Sequence, residues 1–479
     1  MKLKQLVNNL NVVEVVGNLD CEINEIKTDS NAVTKGNLFV CLNGVSYDGH
    51  NFIKQVENYG AAACVTERKI NTILPQIVVK DCRVAVSILS SIINNSADKK
   101  LKITGVVGTN GKTTTTYFLT SILMNAGINC GLIGTLGTFY NGVREESFLT
   151  TPDAPILHKS FSEMVNCNTE NVVMEVSAHA IALKKIEGIT FEQGVFTNFS
   201  QDHLDFFGDM ANYRKTKLSF FDERCKSVIV NSDDELGREI LKKRPFAISY
   251  GIENPADVFA INIKEKQGYT TFVINLFDEI FNVKLNMIGK FNVLNALAAA
   301  TTASVSGISP YKVVEGLENL KGVDGRLENI FNENFSIYLD YAHTPDGLSN
   351  SLKALKPQCK GKLICVFGCG GNRDVAKRSV MGKISGELAD FSVLTSDNPR
   401  FEEPMEIIWQ IEKGLLSVSK KYVIVQDRTD AIRYALDFAR DGDIVLIAGK
   451  GGEKYQEICG IKHPFNDKEI VREYLKKKW

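Results

Sequence analysis

Short apolar runs alternate with helix-like segments along nearly the whole chain of 479 residues. Four of these runs are KITGVVG (102–108), NVVMEVS (171–177), SIYLDYA (336–342) and DIVLIAG (443–449). Apolar runs of this length, separated by helices, are typical of α/β domains with mostly parallel sheets. Ligands bind such sheets at the carboxyl ends of the strands. The sequence therefore predicts an α/β fold with functional side chains directly after these runs.

The length of the chain predicts several domains, because one domain has about 150 residues. The polar stretch NNSADKKLK (94–102) precedes a glycine loop and is the best candidate for the first linker. The second boundary is placed near Arg326, where GVDGRLE leads into a strand-like run. Short alternating runs between residues 246 and 290 predict antiparallel strands added to the central domain. The expected domains are 1–98, 99–325 and 326–479.

Charge and cysteine content argue against several classes of protein. The 56 basic and 57 acidic side chains leave a net charge of -1, so we expect no nucleic-acid or membrane partner. The first residues lack the apolar core of a signal peptide, and no later run has the length of a membrane span. The eleven cysteines are scattered and fit no zinc or disulfide pattern. We expect a cytoplasmic monomer with reduced thiols and small-molecule substrates.

A glycine-rich loop follows the first of the four runs and precedes a helix-like segment. It consists of Gly108, Thr109, Asn110, Gly111, Lys112, Thr113 and Thr114. Backbone N–H groups at such a helix start and a lysine ammonium bind nucleotide phosphates, and the Thr113 hydroxyl can ligate magnesium. The first glycine of the general GxxxxGK[ST] motif falls on Val106, which departs from that motif. The alternative is an ordinary glycine turn, but the order of strand, loop, Lys-Thr and helix favours a nucleoside triphosphate.

The form GTNGKTT (108–114) resembles the Mur ligases of peptidoglycan synthesis and their folylpolyglutamate synthase relatives. Further motifs of that family follow in the same order: MEVSAHA (174–180), NFSQDHLDFFGD (198–209), YRKTKL (213–218), GKFNVLNALAA (289–299), GRLE (325–328), DYAHTPDGL (340–348), GCGGNRD (368–374), SDNPR (396–400) and AGKGGE (448–453). The resemblance covers essentially the whole chain. It implies an N-terminal domain that binds a UDP-sugar, a central P-loop ATPase domain on a mostly parallel sheet, and a Rossmann-like C-terminal domain that binds an amino acid.

Within this family, DYAHTPD and DNPR resemble the ligases that add the third peptide residue to UDP-N-acetylmuramoyl-L-alanyl-D-glutamate. Such a ligase transfers the γ-phosphoryl group of ATP to a carboxylate, and an amine then attacks the acyl phosphate. The resemblance implies meso-2,6-diaminopimelate as the amino acid. Alternatives within the family are an L-lysine-adding enzyme and a ligase of a secondary pathway. From other classes, the alternatives are a P-loop ATPase that couples hydrolysis to movement and a non-catalytic nucleotide-binding regulator.

The resemblance implies a set of four catalytic residues, Lys112, Glu175, His203 and Lys217. Lys112 would hold the phosphates of ATP, and two magnesium sites would use Thr113, Glu175, His203 and Lys217. In this family the lysine of a Y-x-x-x-K segment is carbamylated, which makes Lys217 the expected N6-carboxylysine. The alternatives are a surface carboxylate for Glu175, a capping or core histidine for His203, and a solvated lysine at position 217 or 215.

Besides the glycine loop, the resemblance assigns ATP contacts to Asn292, Asn295, Arg326 and Asp340, with His343 as a nucleotide or substrate contact between domains. An arginine at a domain boundary is commonly only a surface salt bridge. Asparagines in an amphipathic helix commonly cap it. Both alternatives stay open from the sequence.

For the UDP-sugar and its peptide, the resemblance assigns contacts to Ser30, His50, Thr150, Thr151, Ser177 and Lys185. Ser30 ends a Thr-Asp-Ser triplet, and Thr150 opens the TTPD segment. The family has arginine where Asn31 and Lys185 stand in this chain. A lysine preserves the charge of arginine but loses its bidentate fork, so these contacts depart from the family pattern.

The expected amino-acid determinants in the C-terminal domain are Arg373, Asp397, Asn398, Pro399, Arg400, Gly449 and Glu453. Arg400 can bind a carboxylate bidentately, and diaminopimelate has a distal carboxylate that lysine lacks. Glu453 is expected to bind the distal ammonium, and Gly452 stands where relatives often have histidine. As an alternative, DNPR is merely a turn that opens the next helix. That alternative explains Asp397 and Pro399 but explains Arg400 poorly.

Overall fold

The computed structural model describes residues 1–44, 47–147, 149–222 and 224–478, without the side chains of residues 477 and 478. Up to residue 100 the elements are α1 (Leu3–Val7), β1 (Val12–Val16), β2 (Ile26–Lys27), β3 (Leu38–Val40), α2 (Ile53–Asn58), β4 (Ala63–Thr66), β5 (Gln76–Val79) and α3 (Cys82–Ile93). Short 3₁₀ helices lie at Ser30–Ala32, Gly49–Phe52, Ala97–Lys100, Ser219–Phe221 and Lys356–Gln358.

The middle of the chain contains β6 (Lys102–Val107), α4 (Lys112–Asn125), β7 (Cys130–Gly134), β8 (Gly137–Tyr140), β9 (Val143–Glu145), α5 (Ala154–Asn166), β10 (Asn171–Glu175), α6 (Ala178–Ala182), β11 (Phe191–Phe196), α7 (Leu204–Phe207), α8 (Met210–Leu218), β12 (Cys225–Asn231), α9 (Glu235–Lys243), β13 (Ile248–Gly251), β14 (Val258–Lys266), β15 (Tyr269–Leu276), β16 (Glu279–Leu285), α10 (Lys290–Val305) and α11 (Pro310–Asn319). The last part contains β17 (Glu328–Asn332), β18 (Ser336–Asp340), α12 (Pro345–Leu355), β19 (Leu363–Phe367), α13 (Ala376–Leu388), β20 (Phe391–Leu394), α14 (Pro404–Leu415), β21 (Tyr422–Ile424), α15 (Arg428–Phe438), β22 (Ile444–Ala448), β23 (Tyr455–Ile458), β24 (Ile461–Pro464) and α16 (Asp467–Lys478). Strands and helices alternate, so the predicted α/β fold is confirmed.

The chain divides into two compact units, which we describe separately. Unit one comprises residues 1–105, 128–194 and 219–227, and unit two comprises residues 106–127, 195–218 and 228–479.

In unit one, a sheet has the order β1-β5-β4-β3-β2, in which β2 to β5 run parallel and β1 pairs antiparallel. The strands β4 and β5 are buried along their length, as expected for parallel strands covered on both faces. Helices α1 and α3 pack on one face through Leu3, Leu6 and Leu89. Helix α2 packs on the other face through Ile53 and Val56.

Unit one also contains strands in the order β11-β6-β10-β7-β8-β9. Strand β10 runs parallel to β7, with Val173 opposite Leu132. The hairpins β7–β8 and β8–β9 are antiparallel. Because β7 and β10 are parallel, their carboxyl ends meet at one edge, where Gly134 and Glu175 are the last strand residues.

In unit two, strands follow the order β16-β15-β14-β13-β12-β11-β6, with β6 and β11 contributing residues to both units. Strands β12, β13 and β14 are parallel, whereas β14, β15 and β16 are antiparallel. The antiparallel strands predicted between residues 246 and 290 are thus confirmed. Buried and half-buried residues alternate along β15, as expected for a strand with one packed face.

The C-terminal sheet of unit two has the order β17-β18-β22-β19-β20-β21 and is parallel except for the edge strand β17. Alternate residues of β19 face opposite sides. Cys365 and Phe367 join the cluster that includes side chains of α12, α13 and α14. Ile364 and Val366 join the cluster that includes α15 and α16. This doubly covered parallel sheet is the predicted Rossmann-like arrangement.

The cysteines and the helix lengths bear on two further expectations. All eleven cysteines are free thiols and most of them are buried, as expected for residues that fill the core. Within the described part of the chain, no helix combines the length and the hydropathy needed to cross a bilayer.

Candidate functional site

The glycine loop lies between the end of β6 and the start of α4, as the sequence predicts. Gly111 has φ 85° and directly precedes α4. A Cβ atom at this position would collide with Asn295 Oδ1, so both backbone conformation and space favour glycine. At Gly108, a Cβ atom would collide with Thr197 Oγ1. The backbone of the loop therefore lies against its neighbours with no room for a side chain at either position.

The residues directly after β11 hold this loop in place. Thr109 N donates to Asn198 O over 2.9 Å, and Asn110 N donates to Asn198 Oδ1 over 2.8 Å. Thr197 Oγ1 donates to Asn110 O over 2.6 Å. Asn198 is not among the predicted site residues, although it opens the NFSQDHLDFFGD motif. Its contacts give the loop a defined shape without any ligand.

Two cationic side chains lie at the first turn of α4. Lys112 Nζ donates to Gly108 O and to Thr109 O, each over 2.9 Å, so the ammonium lies directly on the loop. Arg326 Nη2 donates to Thr113 Oγ1 over 2.9 Å. Arg326 is therefore not a surface salt bridge. A helix N-terminus with two cations beside it is an arrangement that favours phosphate binding.

Asp340, the last residue of β18, fixes the chain around Arg326. Its buried carboxylate accepts from Leu327 N over 3.1 Å, from Tyr341 N over 2.8 Å and from the Ser351 hydroxyl. Burial raises the pKa of Asp340, while the Ser351 hydrogen bond and the nearby Arg326 charge oppose that rise. The Arg326 guanidinium lies 4.2 Å from the centroid of the Tyr341 ring. In this structure Asp340 holds the segment that carries Arg326.

Asn292 and Asn295 are buried in α10 and do not cap it, because the N-cap residue is Gly289. Asn292 Nδ2 donates to Ile288 O over 2.8 Å. Asn295 Nδ2 donates to Asn292 Oδ1 over 3.2 Å, and Thr115 Oγ1 donates to Asn295 Oδ1 over 3.4 Å. The two amides therefore connect α10 to α4 just behind the glycine loop.

Lys217 is buried in α8 with 1% of its surface exposed, whereas Lys215 is exposed. The Lys217 ammonium nitrogen lies 4.7 Å from the ring centroid of Tyr213, one helical turn earlier. Burial lowers the pKa of Lys217 well below its ordinary value, and the charge of Lys112 lowers it further, against two carboxylates that raise it. A neutral amine is the form that reacts with carbon dioxide. Between the two candidate lysines, burial favours Lys217.

Asp202, in the NFSQDHLDFFGD motif, is buried and is not among the site residues predicted from the sequence. Its Oδ2 lies 3.3 Å from His203 Nε2 and 3.7 Å from His343 Nε2. Its Oδ1 lies 3.7 Å from Lys377 Nζ. Burial alone would raise the pKa of Asp202, but its contacts with His343, His203 and Lys377 hold that pKa well below the usual range. Asp202 thus brings both predicted histidines together, and the Asp-His pair in the sequence was the available signal.

His203 itself occupies the N-cap position of α7 with φ 56°, and its side chain makes no capping hydrogen bond. About a third of the side chain is exposed, with a relative accessibility of 33%. The imidazole of His203 is therefore neither a helix cap nor a core side chain. It lies partly exposed beside Asp202.

In unit one, Glu175 is buried at the end of β10, with 1% of its surface exposed. Its carboxylate accepts from Thr135 N over 2.8 Å and from Thr135 Oγ1 over 3.2 Å. Gly134 leaves the space for it, because a Cβ atom there would collide with Glu175 Oε1. The surface alternative for Glu175 therefore does not apply. Carboxylate oxygens at such a strand end are donors that magnesium prefers.

The predicted Thr150, Thr151 and Ser177 surround the same strand end in unit one. Thr151 Oγ1 donates to Glu175 O over 2.9 Å and accepts from Ser177 N over 3.0 Å. The hydroxyl oxygens of Thr135 and Thr150 are hydrogen-bonded to each other at 3.1 Å. Ser177 Oγ also accepts the backbone N–H three residues later over 3.1 Å and so caps α6. The structure thus places the hydroxyls of the adjacent Thr150 and Thr151 close to Ser177, which lies 26 residues after Thr151 in the chain.

Lys185, which stands where the family has arginine, lies beside the TTPD segment. Its Nζ is 2.7 Å from Asp153 Oδ1, and its side chain has a relative accessibility of 13%. Its backbone carbonyl accepts from Ser87 Oγ over 3.2 Å. Lys185 therefore keeps a positive charge next to the hydroxyls of Thr150, Thr151 and Ser177, in a partly buried position.

His50 is buried near the N-terminus of the chain, and both of its ring nitrogens have protein partners. Nε2 accepts from Glu67 N over 2.9 Å, so Nδ1 carries the proton and lies 2.6 Å from Asp48 Oδ1. Ser30 is also buried, in the 3₁₀ helix that Asp29 caps. In this arrangement, neither ring nitrogen of His50 is available for the predicted contact with the UDP-sugar.

The loop after β20 brings together most of the predicted amino-acid determinants. Asn398 Nδ2 donates to Glu453 Oε2 over 3.1 Å. Gly449 has φ 112°, and a Cβ atom there would lie 2.6 Å from Asp397 Oδ2. Lys450, which is fully buried, donates to Asn398 Oδ1 over 2.8 Å and to Glu453 Oε2 over 3.2 Å. Lys450 was not predicted, although it lies inside the AGKGGE motif.

Arg400 ends this loop in the left-handed region, with φ 53°. Its Nη1 donates to Gly371 O over 2.8 Å, and its Nε donates to Glu457 Oε2 over 3.0 Å. Helix α14 begins only after Glu403, so the loop is not merely the first turn of that helix. Pro399, the preceding residue, completes the predicted motif. Glu457 was not predicted, because nothing in the sequence pairs it with Arg400.

Arg373 lies near this loop but has a different partner. Its Nη1 is 3.4 Å from Asp205 Oδ2, and about half of its side chain is exposed, with a relative accessibility of 49%. A Cβ atom at Gly370 would lie 2.9 Å from Arg400 Nη1 and 3.7 Å from Arg373 Cγ. Both arginines therefore border Gly370, and Arg373 is the more exposed of the two.

Comparison with known proteins decides the family. The chain is 41% identical over 99% of both chains to the Clostridium acetobutylicum protein named UDP-N-acetylmuramoyl-L-alanyl-D-glutamate--2,6-diaminopimelate ligase 1. The chain belongs to the Mur ligase family. Its residues 22–108 match the description Mur ligase family, catalytic domain; residues 106–303 match Mur ligase middle domain; and residues 325–451 match Mur ligase, glutamate ligase domain.

Other Mur ligases support the same conclusion. An Alkaliphilus metalliredigens protein named UDP-N-acetylmuramoyl-L-alanyl-D-glutamate--2,6-diaminopimelate ligase is 40% identical over 99% of this chain and 98% of its own length. A solved structure of a ligase with that name is 29% identical, with a TM-score of 0.70, and covers 100% of this chain and 99% of the other. The predicted resemblance to Mur ligases is confirmed, and the motor-type ATPase alternative is set aside.

Proposed function

We propose that this chain is an ATP-dependent ligase that adds meso-2,6-diaminopimelate to UDP-N-acetylmuramoyl-L-alanyl-D-glutamate in peptidoglycan precursor synthesis. The observation that carries the proposal is the identity of 41%, over 99% of both chains, to a relative whose name states these substrates. The proposed domains are 1–98 for the UDP-sugar, 99–325 for ATP and 326–479 for the amino acid. These bounds follow the sequence motifs.

The reaction joins a carboxylate to an amine and therefore needs a good leaving group. The γ-phosphoryl group of ATP moves to the D-glutamate carboxylate and ADP leaves, after which the amine displaces phosphate from the acyl phosphate. Both partners of the first step are anions, so catalysis depends on positioning and on cations. Lys112 on the glycine loop and Arg326 on Thr113 would supply these cations. Asn292 and Asn295 are proposed to face the adenosine.

Magnesium, when bound, would neutralise charge on the phosphoryl group that is transferred. In unit two, we assign metal positions to Thr113, His203 and Lys217; in unit one, we assign one to Glu175. A buried lysine whose pKa is lowered by burial fits carbamylation, because the neutral amine is the reactive form. As N6-carboxylysine, Lys217 would provide carboxylate oxygens. The Thr113 hydroxyl and the Glu175 carboxylate are likewise oxygen donors of the kind that magnesium prefers.

Contacts to the UDP-muramoyl dipeptide are proposed for residues of unit one. Thr150, Thr151 and Ser177 supply hydroxyls at the end of β10, and Lys185 supplies a cation beside them. Ser30 and His50 are proposed to contribute near the N-terminus. Because both ring nitrogens of His50 are used within the protein, we assign it the role of holding its own loop rather than a direct ring contact.

The choice of amino acid is assigned to Arg400, Asn398 and Glu453, with Arg373 at the edge of the same region. The Arg400 Nε and one Nη1 hydrogen are used by Glu457 and Gly371. A guanidinium has five N–H donors, so its Nη1/Nη2 edge still offers a fork for a carboxylate. L-Lysine has no distal carboxylate and would leave that fork without an anion, which disfavours the lysine-adding alternative.

The proposal is tested by offering amino acids to the purified chain with UDP-N-acetylmuramoyl-L-alanyl-D-glutamate, ATP and magnesium. Phosphate release and the mass of the product are followed together. We expect phosphate release that depends on meso-diaminopimelate and a product mass of the corresponding tripeptide. Preference for L-lysine would contradict the substrate assignment, and ATP turnover without any amine would favour a hydrolysing ATPase.

A further inference from the structure

The hairpin formed by β23 and β24 is hydrogen-bonded to the loop that carries Arg400. Gln456 Nε2 donates to Asp397 O over 2.8 Å, and Glu457 N donates to Asn398 Oδ1 over 2.9 Å. Arg400 N donates to Glu457 O over 3.0 Å, and a parallel bridge continues the contact by one residue. The hairpin therefore sets the positions of Asp397, Asn398 and Arg400 rather than only covering them.

Glu457 contacts Arg400 through its side chain as well as its backbone. Its Oε2 accepts from Arg400 Nε over 3.0 Å, and the two side chains have relative accessibilities of 22% and 17%. On the other side, Arg400 Nη1 donates to Gly371 O over 2.8 Å. A guanidinium held at Nε and at Nη1 cannot rotate freely. The edge formed by Nη1 and Nη2 keeps one Nη1 hydrogen and both Nη2 hydrogens, and no acceptor for Nη2 lies among the residues that the structure describes.

We propose that Glu457 is a positioning residue that orients Arg400, so that the Nη1/Nη2 edge is presented to the distal carboxylate of the amino-acid substrate. This inference rests on the proposed function, because it assumes that the substrate has such a carboxylate. Glu457 does not touch the substrate in this role. It acts by removing rotamer freedom from Arg400 and by occupying Nε, which would otherwise form a competing side-on fork with Nη2.

Two effects of Glu457 oppose each other. Its negative charge reduces the attraction of Arg400 for a carboxylate, but both side chains are partly exposed, so solvent screens that effect. Its hydrogen bond orders a long side chain before the substrate binds, and ordering such a side chain on binding weakens affinity by about tenfold. We therefore expect the loss of orientation to outweigh the gain in net charge when Glu457 is removed.

The test is steady-state kinetics of the full chain with single and double variants. Glu457→Ala should raise KM for meso-diaminopimelate by about tenfold and lower the preference for it over L-lysine, with KM for ATP unchanged. Glu457→Gln should retain most of the wild-type KM, since its amide oxygen still accepts from Nε. In an Arg400→Ala background, Glu457→Ala should have no further effect on this KM, because it acts only through Arg400.

Glu387→Ala is the matched control, since Glu387 lies in the same unit, is 47% accessible and faces Lys383 at 3.8 Å. It should leave all KM values unchanged, and thermal unfolding of each variant verifies folding. A wild-type enzyme that does not use meso-diaminopimelate overturns the proposed function and this inference with it. A wild-type enzyme that does use it overturns the inference alone if Glu457→Ala keeps KM and preference. The inference alone is also overturned if Glu457→Gln raises KM as much as Glu457→Ala does, or if the effects of Glu457→Ala and Arg400→Ala on KM are additive.

Discussion

The phosphate loop (108–114) and the amino-acid loop (397–400) both follow buried strands, yet they are held in different ways. Lys112 donates to carbonyls of its own loop three and four residues away. Arg400, in contrast, is held by Glu457, which lies 57 residues further along the chain. The lysine of the first loop is therefore held by its own loop, although Thr197 and Asn198 also bind that loop's backbone, whereas the arginine of the second loop depends on the register of a distant hairpin. We therefore expect substitutions to affect the two loops independently.

The largest effect is expected for Lys112→Ala, which removes the locally held cation of the phosphate loop. The variant removes the cation that we propose for the γ-phosphoryl group, together with two hydrogen bonds that close the loop. We expect kcat to fall by about 10³-fold or more at saturating ATP and magnesium, measured as product formed. Lys99→Ala, at an exposed lysine of unit one, is the control and should retain full activity. Full activity in Lys112→Ala would remove the phosphate-loop assignment.

The difference between the loops also explains what the sequence could predict. GTNGKTT specifies a strand, a turn and a helix start within a few residues, so the loop and its role were predicted from the motif alone. The Y-x-x-x-K resemblance pointed to Lys217, and the structure adds the burial of Lys217, on the side of α8 that also carries Tyr213 one turn earlier. Glu457 could not be predicted, because strand register decides which side chain meets Arg400.

Asp202 and Asn198 show a second limit of sequence-based prediction. Both lie in the recognised motif that also contains His203, but a motif does not state which of its residues face inward. The burial of Asp202 and the contacts of Asn198 with the glycine loop follow from how β11 ends beside β6. The polar residues of a recognised motif are therefore worth testing as a group, rather than the histidine alone.

A smaller effect is expected for Arg400→Ala. This variant directly tests whether the phosphate loop and the amino-acid loop respond independently to substitution. We expect kcat/KM for meso-diaminopimelate to fall by about 10²-fold, because a charge-assisted hydrogen-bonded pair is lost, with KM for ATP unchanged. Arg400→Lys should restore only part of the loss, since it keeps the charge without the fork. Arg433→Ala, at a half-exposed arginine of α15, is the control. A parallel rise in KM for ATP would show that the two loops are coupled.

Two glycines allow a further comparison of the loops. Near each loop, one glycine has a positive φ and lies against a polar side chain. Gly111 has φ 85° beside Asn295, and Gly449 has φ 112° beside Asp397. Substitution by alanine introduces backbone strain that corresponds to a change of about tenfold. We expect Gly111→Ala to raise KM for ATP and Gly449→Ala to raise KM for the amino acid. Gly307→Ala is the control, since it has φ 83° but no neighbour within 4 Å of the added Cβ atom.

Two buried lysines provide the last comparison between these regions. Lys450, near the amino-acid loop, donates to Asn398 Oδ1 over 2.8 Å, to Tyr455 O over 2.9 Å and to Glu453 Oε2 over 3.2 Å. The ammonium group of Lys217, near the phosphate loop, has no hydrogen bond or ion pair with any residue in the described ranges, and it lies 4.7 Å from the ring centroid of Tyr213. Burial lowers the pKa of Lys217 well below its ordinary value.

The smallest expected effect is a pH dependence of stability that originates at Lys217. In buffer free of carbon dioxide, the unfolded chain binds a proton at this lysine up to about pH 10.4, whereas the folded chain has released it at a lower pH. The free energy of unfolding therefore rises with pH between these two pKa values, by at most about 1.4 kcal/mol per pH unit. Denaturant titrations at a series of pH values below about 10.4 should show a shallower rise of this free energy with pH for Lys217→Met than for the wild type. Lys215→Met, two residues away and exposed, should keep the wild-type slope. If the free energy of unfolding rises equally with pH in the wild type and in Lys217→Met, the lowered pKa of Lys217 is contradicted. The neutral amine on which carbamylation at Lys217 depends is then contradicted too.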